Sequence, residues 1–274
     1  MREVFVSTGA FVGRLNGRDH RLIPLLAKNI VCDGFELMFY KDWYDNADGI
    51  GGFLKSSGLR FPAFHCEKGV GELLAKEDFN EAFRLFEINC RAAETVGARL
   101  MVLHLWNGII SDSNISANFS AFSRLKEIAY SHGVTLTVEN VVAHGGSPLK
   151  LWRRLLLQAP DALFTYDTKM AQFDFENEKA FSEENFPLWK NVRHLHINDR
   201  AGVYRDWTSL KVLQLGRGDV DFETFFKNLS RTDYRGDFTV EATAFTENGG
   251  LDFDSLNESV KKVRELSEKY LGGA

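Results

Sequence analysis

Titratable residues recur at one kind of place in this sequence, the end of a short apolar run. His65 closes Arg60-Phe-Pro-Ala-Phe, His104 follows Leu100-Met-Val-Leu, Glu139 closes Thr135-Leu-Thr-Val, and Asp167 closes Leu163-Phe-Thr-Tyr. His196 then follows Val192-Arg-His-Leu, Glu241 follows Phe238-Thr-Val, and Glu36 stands after Gly34-Phe35. Carboxylates and imidazoles are the side chains that ligate divalent cations and move protons in catalysis. Each has an ordinary reading alone: a carboxylate at a strand end caps the next helix, and a histidine is a hydrogen-bonded core residue. Together they point elsewhere, because like charges gathered in one place need a counter-ion. Glu139, Asp167, His196 and Glu241 make an oxygen-rich set of three carboxylates and one imidazole, suited to one divalent metal ion among Mn2+, Mg2+ and Zn2+. They are spaced by 28, 29 and 45 residues, and the first two intervals are near the length of one strand-plus-helix unit.

Such a set converges only if the elements carrying it are arranged in parallel around one axis. Eight β-branched or aromatic runs predict strands: Glu3 to Ser7, Gly34 to Phe39, Arg60 to His65, Leu100 to Leu105, Thr135 to Glu139, Leu163 to Asp167, Val192 to Ile197 and Asp237 to Glu241. Helical patterns lie between them. In Asp78 to Val96 the residues Phe79, Ala82, Phe83, Phe86, Cys90 and Ala93 recur at three-and-four spacing, and Gly97 stops the helix. Leu251 to Tyr270 carries Asp252 and Asp254 at its start and Lys269 near its end, as the helix dipole favours. Eight alternating units predict a (β/α)8 TIM barrel spanning 1–274 as a single domain, since such barrels run to about 250 residues. Their chemistry sits at the C-terminal strand ends, where seven of the eight runs place a titratable residue. A dinucleotide fold is excluded by Ser7-Thr8-Gly9-Ala10-Phe11-Val12-Gly13, which lacks the required glycine spacing. Leu215-Gly216-Arg217-Gly218-Asp219 lacks the Gly-Lys-Ser/Thr ending of a nucleotide P-loop.

A net charge of −5 and a pI near 5.9 give no broad positive field for nucleic acid, so a small polar substrate is the expected partner. With 44% hydrophobic residues and a mean hydropathy of −0.23, there is apolar material for a large core and no membrane span. Cys32, Cys66 and Cys90 are odd in number and widely spaced, which reads as reduced thiols. With no signal peptide ahead of Val4-Phe-Val, the expected location is the cytoplasm. Neither composition nor motif separates a monomer from a homo-oligomer.

Thr137-Val-Glu139-Asn140, Tyr166-Asp167-Thr168, His194-Leu-His196-Ile-Asn-Asp199, Leu215-Gly-Arg-Gly218-Asp-Val-Asp221-Phe222 and Val240-Glu241 resemble the xylose isomerase-like barrel superfamily. The likeness is greatest to its sugar (phosphate) isomerase/epimerase group, whose relatives include hydroxypyruvate isomerase, tagatose epimerase and an apurinic endonuclease of the same fold. The resemblance makes Glu139, Asp167, His196 and Glu241 the metal ligands and the two glutamates the acid/base pair. It implies a divalent-metal-dependent isomerase or epimerase of a sugar or sugar phosphate, working by proton transfer through a metal-stabilised enediolate. Family members that epimerise sugars carry a histidine three residues after the strand-six aspartate; here that position is Met170. Lys169 or Arg200 is the substitute donor to substrate oxygen, with His65, His104, Glu36 and Trp106 as further candidate substrate contacts.

Other residues near the strand ends have plainer expectations. Phe11 and Phe39 read as packing residues, Arg217 as a solvated loop arginine, and Asp199 as an orienting partner of His196 or a loop cap. His194 shares the parity of His196 and is expected nearer the barrel's middle. Two rival functions remain. A phosphodiester hydrolase of the apurinic endonuclease type matches His65, His104, Glu139, Asp167, His196 and Glu241, yet Met170 and the histidine-free stretch 201–208 lack the rest of a three-zinc site. A non-catalytic ligand-binding barrel accounts for Met170 but not for retention of all four metal-type residues.

Overall fold

The computed structural model describes residues 2–108, 112–143 and 146–272. Eight parallel strands form one closed barrel: β1 (Val4–Ser7), β2 (Gly34–Met38), β3 (Ala63–His65), β4 (Leu100–Leu103), β5 (Thr135–Glu139), β6 (Leu163–Asp167), β7 (Val192–Ile197) and β10 (Asp237–Val240). Their closed order is β1-β10-β7-β6-β5-β4-β3-β2. The expected fold class is therefore observed. Several strands are shorter than expected: β3 begins at Ala63 because Pro62 has no amide hydrogen to extend the ladder, and β4 stops at Leu103, leaving His104 just beyond it. A short antiparallel hairpin of β8 (Asp199–Ala201) and β9 (Lys211–Leu213) was not anticipated.

The helices are α1 (Leu22–Leu26), α2 (Ala47–Ser56), α3 (Gly69–Ala75), α4 (Phe79–Val96), α5 (Ile115–Ser131), α6 (Pro148–Gln158), α7 (Thr168–Phe173), α8 (Phe222–Leu229) and α9 (Phe253–Leu271). Local chemistry accounts for their ends. Asp78, Ser147, Asp221 and Asp252 accept the amides of Glu81, Lys150, Thr224 and Ser255 at the starts of α4, α6, α8 and α9. Gly97 closes α4 at a φ of 83°, where a side chain would be strained. The expected stripe on α4 is partly confirmed: Ala82, Phe86, Cys90 and Ala93 are buried, while Phe79 and Phe83 are half-buried. Among the described residues no helix is long and apolar enough to cross a membrane.

The chain divides into two compact units, 35–164 and the combination of 1–34 with 165–274. In the first, Met38 pairs with His65, His65 with Val102, and Val102 with Thr137. His104 and Glu139 each stand two residues past that level and so share its side of the sheet. In the second, Thr239 pairs with His196 and Val240 with Ile197, and the Glu241 amide donates to the Ile197 carbonyl at 3.2 Å. Glu241 is two residues past Thr239, again of one parity with its neighbours.

Candidate functional site

In the 35–164 unit, two imidazoles meet one carboxylate. His65 Nε2 lies 3.3 Å and His104 Nε2 2.7 Å from the same oxygen, Glu139 Oε2, and the rings are 4.9 Å apart in an edge arrangement. All three are buried. The far side of each ring is also hydrogen-bonded. His65 Nδ1 is 2.9 Å from the Cys66 carbonyl, and His104 Nδ1 is 3.2 Å from Asn107 Oδ1, whose own amide donates to Glu72 Oε1 at 2.7 Å. Both partners are acceptors, as is Glu139 Oε2, so each ring stands between two oxygen acceptors. Burial pushes the His104 pKa below its ordinary value, against the pull of Glu139. This trio of two imidazoles and one carboxylate is a group that can hold a metal ion.

The approach to His104 depends on one glycine. A Cβ on Gly71 of α3 would lie 2.5 Å from the His104 carbonyl oxygen, and Asn118 Nδ2 ties the Gly71 and Leu105 carbonyls together at 2.9 and 2.6 Å. Only a residue without a side chain lets α3 seat there.

In the 1–34 and 165–274 unit, Asp167 at the end of β6, His196 on β7 and Glu241 just after β10 place their ligand-type atoms within 4.8 Å of one another. His196 Nδ1 is 3.5 Å from Glu241 Oε2 and 4.0 Å from Asp167 Oδ2. Asp167 also caps α7, Oδ1 accepting the Met170 amide at 2.7 Å, so the ordinary role of a strand-end carboxylate and the role of a ligand fall on its two oxygens. Its Oδ2 accepts Asn198 Nδ2 at 3.2 Å and lies 3.3 Å from Lys169 Nζ. The Glu241 oxygen Oε1 is buried without a hydrogen-bond partner among the described residues. A buried carboxylate oxygen left in that state is costly unless a cation or donor meets it. The residues present thus fit a divalent cation.

The elements holding this cluster are locked to each other by Asn198, which sequence reasoning missed. Its side-chain oxygen accepts the Lys169 amide at 3.1 Å, its own amide donates to Thr168 Oγ1 at 3.1 Å, and Thr168 Oγ1 donates to the Asn198 carbonyl at 2.8 Å. Asn198 stands two residues after His196, of the same parity, but among Arg193, His194 and Asp199 a further polar residue carries no local signal.

The family model for the xylose isomerase-like TIM barrel matches residues 25–266. The chain belongs to that family. Among relatives of this xylose isomerase-like barrel, an uncharacterized protein of Methanocaldococcus jannaschii is 23% identical over 215 residues, covering 70% of this chain and 64% of that protein. The chain thus spans less than two thirds of the length of that curated relative. Among solved structures, D-allulose 3-epimerase from Methylomonas sp. is similar with a TM-score of 0.71, 18% identity and 98% of each chain covered. The same enzyme solved in complex with D-allulose gives a TM-score of 0.68. A structure described as the IOLI protein with a binding zinc atom gives 0.68 at 12% identity, covering 98% of this chain and 99% of that one. The structural neighbours of this xylose isomerase-like barrel thus include sugar epimerases.

The remaining expected contacts of this family member are distributed less tightly. Glu36 is buried, but within β2 rather than at its end. Trp106 is fully buried and its indole N–H donates to the Val141 carbonyl at 2.6 Å, a packing role. Arg200 is buried, donates to the carbonyls of Gly202 and, at 3.2 Å, Gln172, and lies over the Phe173 ring. Asp199 is a loop cap: its carboxylate accepts the amides of Gly216 at 2.8 Å, Gly218 at 2.9 Å and Val220 at 3.1 Å. The Gly-Arg-Gly segment therefore spends its glycine amides on Asp199, and Arg217 donates to Ser255 Oγ at 2.9 Å. His194 is buried beside Thr239 Oγ1 at 2.8 Å and stacks on Phe5, below the level of His196 as its parity implied. Phe11 and Phe39 are core. Lys169, by contrast, is buried with its ammonium 3.8 Å from Glu241 Oε2, inside the cluster.

Proposed function

We propose that this chain is a divalent-metal-dependent isomerase or epimerase acting on a sugar or sugar phosphate. The observation that carries it is the buried convergence of Asp167, His196 and Glu241, with an unsatisfied oxygen on Glu241, in a barrel whose structural neighbours include sugar epimerases. Glu139 ends β5, and β5, β6, β7 and β10 are consecutive in the closed strand order, so the reading takes Glu139 as the fourth ligand. A divalent cation held by these four would supply Lewis-acid polarisation of a carbonyl and the neighbouring hydroxyl.

The protein's own groups supply the proton chemistry. One of the two glutamates, Glu139 or Glu241, removes the hydrogen from the carbon beside the carbonyl to leave an enediolate, and the other returns a proton, to the opposite face for epimerisation or to the neighbouring carbon for isomerisation. His65 and His104 hold Glu139 within the 35–164 unit, and Asn198 holds Asp167 within the other. Lys169 is the candidate donor to a substrate oxygen, in the neighbourhood where other members carry a histidine and this chain carries Met170. Arg200 and Trp106 are assigned to bracing rather than to substrate, because their polar atoms point at main-chain carbonyls.

The test is metal content of the purified protein by elemental analysis, with Asp167→Asn and His196→Asn beside it. About one metal per chain, lost in both variants, is expected. A protein that retains no Mn2+, Mg2+ or Zn2+ and gains none on addition defeats the reading. A second reading is favoured by His65 and His104 on Glu139, a donor set for a further ion: a phosphodiester hydrolase. Cleavage of a duplex containing an abasic site, with more than one zinc per chain, would replace the isomerase assignment.

A further inference from the structure

Lys169 is an unusual residue to find where it is. Lysine is almost never fully buried unless paired, yet here the residue is 8% exposed. Its Nζ lies 3.3 Å from Asp167 Oδ2 and 3.8 Å from Glu241 Oε2. Those two oxygens are also the ones that approach His196 Nδ1, at 4.0 and 3.5 Å. The ammonium therefore sits against one oxygen of each carboxylate in the set that could hold a cation. Its stem starts from the most tightly fixed main chain in the cluster, because the Lys169 amide donates to Asn198 Oδ1 and Thr168 clamps the Asn198 main chain from both sides.

We infer that Lys169 is the resident counter-ion of this carboxylate cluster, and that a divalent cation enters by exchange against its ammonium, so that Lys169 sets the affinity of the site. The inference rests on the metal-dependent reading above. Two positive centres cannot share Asp167 Oδ2 and Glu241 Oε2 at these distances without strong repulsion, which is little screened in a buried site. Uptake of the metal therefore swings the ammonium away on its flexible stem, and the metal-free protein keeps its carboxylates neutralised. Lys169 forms ion pairs with both Asp167 and Glu241. Replacing it with an uncharged side chain of similar length removes the competitor and leaves the ligands in place.

The experiment is calorimetric titration of the chelator-stripped full chain with Mn2+, for wild type and Lys169→Met at one ionic strength, together with thermal unfolding of both metal-free forms. Lys169→Met is expected to bind Mn2+ at least tenfold more tightly, to unfold at lower temperature without metal, and to gain more from saturating Mn2+ than wild type does. A merely structural lysine would not move affinity upward. Unchanged or weaker Mn2+ binding by a folded Lys169→Met protein overturns the inference and leaves the metal-dependent reading standing. Binding by Lys169→Met but not by wild type overturns exchange in the natural chain together with the metal-dependent reading, and leaves Lys169 as a fixed counter-ion. Failure of both to bind overturns both. Should Lys169→Met fail to fold, Lys169→Gln is read by the same outcomes.

Discussion

The two units of this chain reach the same problem, buried carboxylate charge, and answer it differently. In 35–164 a single carboxylate, Glu139, is faced by two imidazoles whose outer nitrogens are fixed by Cys66 and Asn107. In the other unit two carboxylates, Asp167 and Glu241, share one imidazole and one ammonium. An imidazole is neutral or charged according to its surroundings, whereas an ammonium beside carboxylates is a committed positive charge. The first cluster is therefore a set of donors awaiting a cation, and the second already contains one. The difference teaches that buried carboxylate charge is met in two ways, by imidazoles around Glu139 and by an ammonium and an imidazole beside Asp167 and Glu241.

The largest expected effect tests whether the two units contribute equally to proton transfer. Glu139→Gln and Glu241→Gln keep shape and remove the base, one from each unit. Each is expected to slow exchange of the carbon-bound hydrogen of D-allulose or another ketose with deuterated water by about 10²- to 10⁴-fold. Exchange by both variants at the wild-type rate would defeat the acid/base pair. Loss in only one would break the symmetry and assign both proton steps to a single carboxylate.

How much of this was legible in the sequence follows from what each residue's pattern encodes. The barrel and its strand-end residues were readable because parity and apolar runs are local properties: Glu139, Asp167 and His196 each sit on strands whose ends were placed correctly. Glu36 lies inside Gly34–Met38 and not at its end, as the expected strand Gly34 to Phe39 already implied. Arg200 and Trp106 were nominated for chemistry by their type, but their hydrogen-bond partners are main-chain carbonyls, which carry no sequence code. The hairpin of β8 and β9 escaped notice for the same reason, as its strands have three residues each and pair across a loop. Asn198 and Asn107 were invisible because an amide becomes meaningful only once its two partners are known.

Those two asparagines give the next test, since each fixes one unit's cluster. Asn198 is fully buried and bridges the Lys169 amide and Asp167, so Asn198→Ala strands a buried amide and a carboxylate oxygen, at a cost of about 1–3 kcal/mol. Asn107 is half-buried and joins His104 to Glu72, and its loss is expected to cost about 0.5–1.5 kcal/mol. Urea unfolding of both variants measures the pair. A larger loss for Asn107→Ala would reverse the assignment of the more rigid cluster to the 165–274 side.

The smallest effect lies on the outer ring of the 35–164 unit, where charge is exposed and the contrast with the buried clusters should be plain. His132 follows α5 and reaches α4, with Nδ1 2.7 Å from Glu94 Oε2 and Nε2 2.8 Å from Glu87 Oε1. Burial opposes its charged form, but hydrogen bonds to Glu94 and Glu87 outweigh that and raise its pKa above the ordinary value. A group whose pKa is higher in the folded chain adds stability that is complete below its unfolded pKa of about 6.5 and fades as pH rises through the folded value. Both glutamates are largely exposed, so the contribution is expected to be about 0.2–1 kcal/mol. The thermal midpoint of wild type should exceed that of His132→Gln by more at pH 5.5 than at pH 8.5. A difference that stays flat, or grows toward pH 8.5, would mean that the imidazolium does not hold α5 to α4. The charge that matters to this unit would then be confined to Glu139 and the two histidines around it.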